Sequence, residues 1–193
     1  VAVETNKEYA KEIGINQSTA ITCVKPSGTV SQRVNSASGI HPRHSDYYIR
    51  NVKGDNKDPL TQFLLDSGVP GEKDVTSPDA TTVFQFPIKS PDHAITRKEI
   101  SPIDHLNLWL AYQDYWCEHK PSATISVKEH EWLEVGSWVY SNFDKISGLS
   151  FFPYSDPNYS QLPYQECGKE EYDNKKMAKT LVCPEGEQDR YVN

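Results

Sequence analysis

The sequence predicts an α/β protein whose strands are largely parallel. Two observations carry this. Short β-branched or aromatic runs of strand length alternate along the chain with longer segments of helical period. Two of those segments open on a Ser-Pro or Asp-Pro pair, the signature of a capped helix start. No internal sequence repeat is present.

The elements are taken in chain order. Residues 3–13 place Glu4, Lys7, Lys11 and Glu12 around Ala10 and Ile13, which reads as a helix end stopped by Gly14. Ser18–Val24 reads as a buried strand because Ala20-Ile21-Thr22-Cys23-Val24 is apolar and β-branched. Residues 25–31 form a loop into a short helical or irregular segment. Tyr47–Val52 reads as a strand that ends in the turn Lys53-Gly54-Asp55-Asn56. Asp58-Pro59 opens an amphipathic stretch that Ser67-Gly68 ends, and Val75–Ala80 is turn-rich. Thr81–Ile88 alternates like a strand. Ser101-Pro102 starts a helix expected to run to about His119. Thr124–Val127 reads as a strand, Glu131–Phe143 as a helix, and Gly148–Phe152 as a last strand closed by Pro153. Residues 1–166 are expected to be one body and 167–193 a loosely ordered tail, because the chain there is charged and poor in apolar residues.

Composition narrows the function. The 193 residues hold 20 Lys and Arg against 27 Asp and Glu, a net charge of −7, which argues against a nucleic-acid or membrane surface. A nucleotide substrate stays compatible with this charge, since backbone donors can hold a phosphate in an acidic protein. No run reaches membrane-spanning length and no signal peptide opens the chain, so a soluble cytoplasmic protein is expected. Residue 1 is Val, which points to a processed chain or a piece of a longer one. Cys23, Cys117, Cys167 and Cys183 are widely spaced, without a metal-ligand pattern, so neither zinc nor a disulfide framework is expected.

The most informative stretch is Lys25-Pro26-Ser27-Gly28-Thr29-Val30-Ser31, directly after the apolar run. Gly28 can take positive φ and lets backbone approach a ligand closely. Ser27, Thr29 and Ser31 offer hydroxyls beside successive N–H groups, and Thr29 or Ser31 is expected to cap the next helical turn. Such a loop suits a phosphate. A second Gly-containing turn, Ser38-Gly39-Ile40-His41, comes shortly after, with Arg43 and His44 close behind. Arg43 offers a bidentate phosphate partner, and His41 a phosphate or ribose contact.

Together "STAITCVKPSGTVSQ…SASGIHPRHSDYYIR", "FQFPIKSP", "EHKPSATISVKEHEWLEVGSWVYSNFDKISGLSFFPYSD" and "LPYQEC" resemble the large catalytic chain of ribonucleotide reductases. They look most like the adenosylcobalamin-dependent (class II) ribonucleoside-triphosphate reductases, over roughly residues 10 to 173. The resemblance implies the C-terminal portion of a ten-stranded α/β barrel and reduction of ribonucleotides to 2′-deoxyribonucleotides by radical chemistry. It implies adenosylcobalamin as cofactor. The implied partners are a ribonucleotide substrate, the remainder of the reductase chain and a thioredoxin-type reductant. In that family the matching loop holds the substrate's phosphates through backbone N–H groups, a role this carries onto Pro26, Ser27, Gly28, Thr29 and Val30. Ser31, His41 and Arg43 become possible substrate contacts.

Class I relatives use adjacent tyrosines on the last strand as a radical relay. Phe151-Phe152 stand in that place here and have no phenolic proton. The family's Asn-x-Cys-x-Glu motif, with its thiyl cysteine, does not occur in this chain, so no catalytic residue is assigned. The tail "TLVCPEGEQDRYVN" departs from the family's paired-Cys tail, leaving Cys183 as the candidate for a redox role. The expected function is thus part of a ribonucleotide reductase, inactive alone. The alternative is a non-catalytic nucleotide-binding remnant.

Overall fold

A computed structural model describes residues 1–154 and 160–176. They form two compact units. Of the described residues, the first comprises 1–43 and 93–154, the second 44–92 and 160–176.

The first unit begins with helix α1 (Ala2–Glu12), ended by Gly14 at φ 73°. The Ile15 N–H reaches Ala10 O and the Gly14 N–H reaches Lys11 O, so the last carbonyls are satisfied by a left-handed glycine stop. The expected strand at 18–24 does not form. The segment carries no strand pairing, is largely exposed or half-exposed, and bonds residues 118–122 instead. His119 N–H donates to Thr22 O, Ser122 N–H to Val24 O, and the Glu118 carboxylate accepts from the N–H groups of Ile21 and Thr22. A β-branched run can thus satisfy its backbone against an irregular neighbour, which propensity alone does not reveal.

After the short helix α2 (Val30–Arg33) the chain enters the second unit, returns to the first at His93 and there forms helix α4 (Pro102–Tyr115). Ser101 caps α4 as predicted: its Oγ accepts from Asp104 N at 3.0 Å and donates to the Asp104 carboxylate at 2.7 Å. The helix stops at Tyr115, short of His119. Strands β4 (Thr124–Val127) and β5 (Ser150–Pro153) pair in parallel, with α5 (Trp132–Ser141) as their crossover, the right kind of connection for parallel neighbours. Leu106 and Trp109 of α4 and Ile125 of β4 are fully buried, with Ile40, Ala123, Val127 and Val135 around them. Trp109 Nε1 donates to Pro121 O at 2.9 Å, so the buried indole loses no hydrogen bond.

The second unit overturns the expectation of largely parallel strands. Its four-stranded sheet runs β2 (Gly71–Lys73), β3 (Thr81–Lys89), β1 (Tyr47–Asp55), β6 (Tyr164–Glu166), and every pair is antiparallel. Strand β1 (Tyr47–Asp55) pairs along its whole length with β3 (Thr81–Lys89), from Tyr47 opposite Lys89 to Asp55 opposite Thr81. Helix α3 (Pro59–Asp66), capped by Asp58 and stopped by Gly68 at φ 79°, lies between them in sequence, so it looks like a parallel crossover from sequence alone. It is only a detour between antiparallel partners.

The turn expected at Lys53–Asn56 is displaced, because Lys53, Gly54 and Asp55 belong to β1. A Cβ at Gly54 would stand 2.5 Å from Thr61 Oγ1 and 3.1 Å from Phe84, so this glycine serves close packing of α3. Strands β2 (Gly71–Lys73) and β6 (Tyr164–Glu166) and helix α6 (Lys169–Lys175) are additions that the sequence pattern does not predict. Part of the expected tail, residues 167–176, is thus built into the unit: Cys167 N–H donates to Tyr47 O, and Lys175 bonds Gln85. Cys183 lies outside the described residues.

Candidate functional site

The loop at 26–30 and the turn at 36–43 both lie in the first unit, and the fold knits them together. Ser27 is the hub. Its N–H donates to Ser38 Oγ at 2.8 Å, while Ser38 Oγ donates to Ser27 O at 3.0 Å. Ser27 Oγ accepts from Ser31 N at 2.9 Å, and Ser31 Oγ donates to Ser27 O at 2.9 Å. The capping role expected of Thr29 or Ser31 therefore falls to Ser27, and Thr29 makes no side-chain cap bond. Ser31 is buried, so it frames the loop from behind and does not present a hydroxyl to solvent.

Of the five residues 26–30, Pro26 has no N–H and Ser27 N–H is engaged by Ser38. The N–H groups of Gly28, Thr29 and Val30 find no acceptor among the described residues, and all three residues are exposed. Three consecutive open donors on a loop fixed at both ends can receive an anion. Gly28 does not use the positive φ open to it, and a Cβ there would meet open space. The strained glycine is Gly39, at φ 62°, where a Cβ would come 3.1 Å from Lys25 O. Sequence reasoning missed it because two glycines in neighbouring loops look alike until the chain is folded.

Lys25 does not face the open donors with a free charge. Its ammonium donates to Lys120 O at 2.9 Å and to Ser122 Oγ at 3.1 Å. Arg43 is buried, and its guanidinium donates to Ser36 O at 2.6 Å and to Asn35 Oδ1 at 2.7 Å. Those acceptors belong to the end of α2, where Asn35 at φ 50° forms a left-handed stop and Ser36 N–H reaches back to Ser31 O. Arg43 thus clamps the end of the helix that the loop begins. His41 is also engaged: Nδ1 lies 2.8 Å from Ser38 O, and Nε2 accepts from Thr124 N at 2.9 Å. A carbonyl can only accept and an amide N–H only donate, so the ring proton is assigned to Nδ1. The structure brings Ser31, His41 and Arg43 together as supports of the loop, and each of the three spends its side chain on backbone or side-chain groups of the protein.

Behind the turn, His105 on α4 is buried, and its Nε2–H donates to Ile40 O at 2.9 Å. Burial holds its imidazole below the ordinary value, opposed by the bond to Ile40 and assisted by nearby His41, whose ring centre is 6.1 Å away. On β5, Phe151 packs into the core and against Trp132, while Phe152 is half-exposed. Neither can pass on a phenolic proton. Burial raises the thiols of Cys117 and Cys167, which disfavours a reactive thiolate at either. Among the described residues no cluster of His, Cys, Asp and Glu could hold a metal ion, and no helix is long and apolar enough to cross a membrane.

No protein-family model matches the chain. Curated relatives do. An adenosylcobalamin-dependent ribonucleoside-triphosphate reductase of Euglena gracilis is 32% identical over 161 residues, covering 82% of this chain and 22% of the relative. The enzyme of the same name from Lactobacillus leichmannii is 29% identical over 178 residues, covering 90% of this chain and 24% of the relative. The crystal structure of a B-12-dependent (class II) ribonucleotide reductase superimposes with a TM-score of 0.73 at 26% identity, over 90% of this chain and 24% of that one. The chain spans about a quarter of the length of the curated relatives it matches. In sequence and in fold, nearly all of this chain is therefore similar to part of an adenosylcobalamin-dependent ribonucleotide reductase.

Proposed function

We propose that this chain is a segment of an adenosylcobalamin-dependent ribonucleotide reductase and that the loop at 26–30 holds the substrate's phosphates. The observation that carries the reading is the run of open N–H groups at Gly28, Thr29 and Val30, in a chain similar to these reductases in sequence and fold. The loop would bind and orient: backbone donors on a fixed frame engage phosphate oxygens without adding a side-chain charge, which suits an acidic protein. Ser27, Ser31 and Arg43 shape the frame from behind.

Adenosylcobalamin, when bound to such an enzyme, supplies the radical. What this chain contributes is consistent with a radical that arrives without a phenolic relay, since β5 presents Phe151 and Phe152 and no tyrosine pair. We assign none of the described residues to the cofactor. The substrate partner is a ribonucleotide, and the remainder of the reductase would provide the thiyl cysteine and the reducing pair.

The test is ribonucleotide affinity in the completed reductase with Gly28→Val and Lys25→Ala. Gly28→Val meets open space in the protein, so it should leave folding nearly unchanged and weaken the nucleotide by crowding the anion, by about tenfold or more. Lys25→Ala should act mainly on stability, because its ammonium bonds the 120–122 segment. Full affinity in Gly28→Val, together with lost affinity in a well-folded Lys25→Ala, would refute the backbone cradle.

A further inference from the structure

We infer that Ser38, held in place by His41, is the positioning residue of the loop at 26–30. The inference rests on the phosphate-loop reading for its ligand, but the brace itself is a matter of geometry. Ser38 exchanges two hydrogen bonds with Ser27: one takes up the Ser27 N–H, the other engages Ser27 O. Without Ser38 the Ser27 N–H would be a fourth open donor, and the peptide that leads into Gly28 would lose its lateral support. Ser38 in turn is anchored through its carbonyl, which accepts the Nδ1 proton of His41, while His41 Nε2 accepts from Thr124 at the start of β4. A continuous path of hydrogen bonds therefore ties the loop to the first residue of a strand whose next residue, Ile125, is fully buried.

The backbone makes room for this brace at Gly39. Gly39 at φ 62° lets the turn pass Lys25 O, 3.1 Å from where a Cβ would stand, and so brings Ser38 opposite Ser27. The consequence for binding is preorganisation. Three donors that already stand open together need not be ordered when an anion arrives, and the ordering cost is thereby avoided. Ser38 does not touch the anion in this scheme. It determines whether the donors of Gly28, Thr29 and Val30 are presented together.

The experiment is amide NMR of the full 193-residue chain, with inorganic tripolyphosphate as the probe. In the wild-type chain the Ser27 and Thr124 amides, whose acceptors are side chains, should exchange with solvent at least tenfold more slowly than Gly28, Thr29 and Val30. Equal rates would overturn the brace without recourse to any variant. Ser38→Ala should shift the Gly28–Val30 resonances and weaken tripolyphosphate about tenfold, while Ser38→Thr, which keeps the hydroxyl, restores both. A Ser38→Ala chain with unchanged loop resonances and unchanged affinity also overturns the proposal. If the wild-type loop does not respond to tripolyphosphate at all, the phosphate reading fails, while the exchange rates still decide the brace.

Discussion

At the scale of single residues, two glycines in neighbouring loops exchange roles on folding. Gly28 looks like the special position because it sits in the Pro-Ser-Gly-Thr loop, yet Gly39 has the left-handed backbone and the close neighbour. Gly39→Ala should destabilise the chain by about 1–2 kcal/mol in urea titrations, the usual cost of a Cβ at positive φ. Gly28→Ala should fall within about 0.5 kcal/mol of wild type, as surface substitutions do. The reverse ranking would show that the turn at 38–41 is not formed as described. His105 gives a second residue-scale prediction. Its folded-state proton affinity lies below the ordinary value of 6.5, so the unfolded chain binds the proton more readily. Its contribution is therefore complete above about pH 6.5 and is lost as pH falls below that. The melting temperature of His105→Gln should change less between pH 7.5 and 5.5 than that of wild type. Asp74 and Glu99, both held below their ordinary values, first by the Lys53 bond and by the Thr96 N–H respectively, act only in a more acid range.

At the scale of elements, helix starts and the glycine-marked helix ends were readable, while the end of α4 and the strand partners were not. Ser101-Pro102 and Asp58-Pro59 mark helix starts through local chemistry: a side-chain oxygen for an orphan N–H, and a ring whose φ already suits a helix. Gly14 and Gly68 mark the ends for the same kind of reason. Ser101→Ala should cost about 1 kcal/mol by removing the bond to Asp104 N, with the loss read from thermal or chemical melting. An unchanged midpoint would mean that α4 is held by Leu106 and Trp109 alone. Strand pairing is different, because it depends on residues far away in sequence. The three-residue strands β2 and β6 carry no pattern long enough to recognise, and they exist because β3 and β1 offer them an edge. Gly54 reads as a turn residue and is a strand residue, since what decides its place is Thr61 and Phe84 lying over it.

At the scale of the whole molecule, this chain should be catalytically silent alone. It contains no Asn-x-Cys-x-Glu motif, Cys117 and Cys167 have raised thiols, and a positioned phosphate without a radical cysteine cannot run the reduction. Measurable deoxyribonucleotide formation by the purified 193 residues, supplied with adenosylcobalamin and a dithiol, would disprove this. Large apolar side chains also stand exposed on the helices of the first unit: Tyr115 and Trp116 at the end of α4, Leu133 and Tyr140 on α5, and Phe143 just beyond. Surface of this kind favours association, so sedimentation should show concentration-dependent self-association of the isolated chain. A strictly monomeric species up to high concentration would count against that expectation.

The sequence by itself determined the helix starts at Asp58 and Ser101, the segments that become β4, α5 and β5, and the place of the loop at 26–30, because each depends on residues within one or two turns of chain. Its motifs also carried the resemblance to ribonucleotide reductases, which the relatives and the superposed crystal structure bear out. The antiparallel sheet of the second unit was decided only in three dimensions, since an intervening helix leaves strand direction open until the partners meet. The division of labour in the loop was decided there too. Whether a polar group is an open donor or a brace depends on what faces it. Ser38, His41, Arg43 and Lys25 all acquire their partners from segments brought alongside by folding.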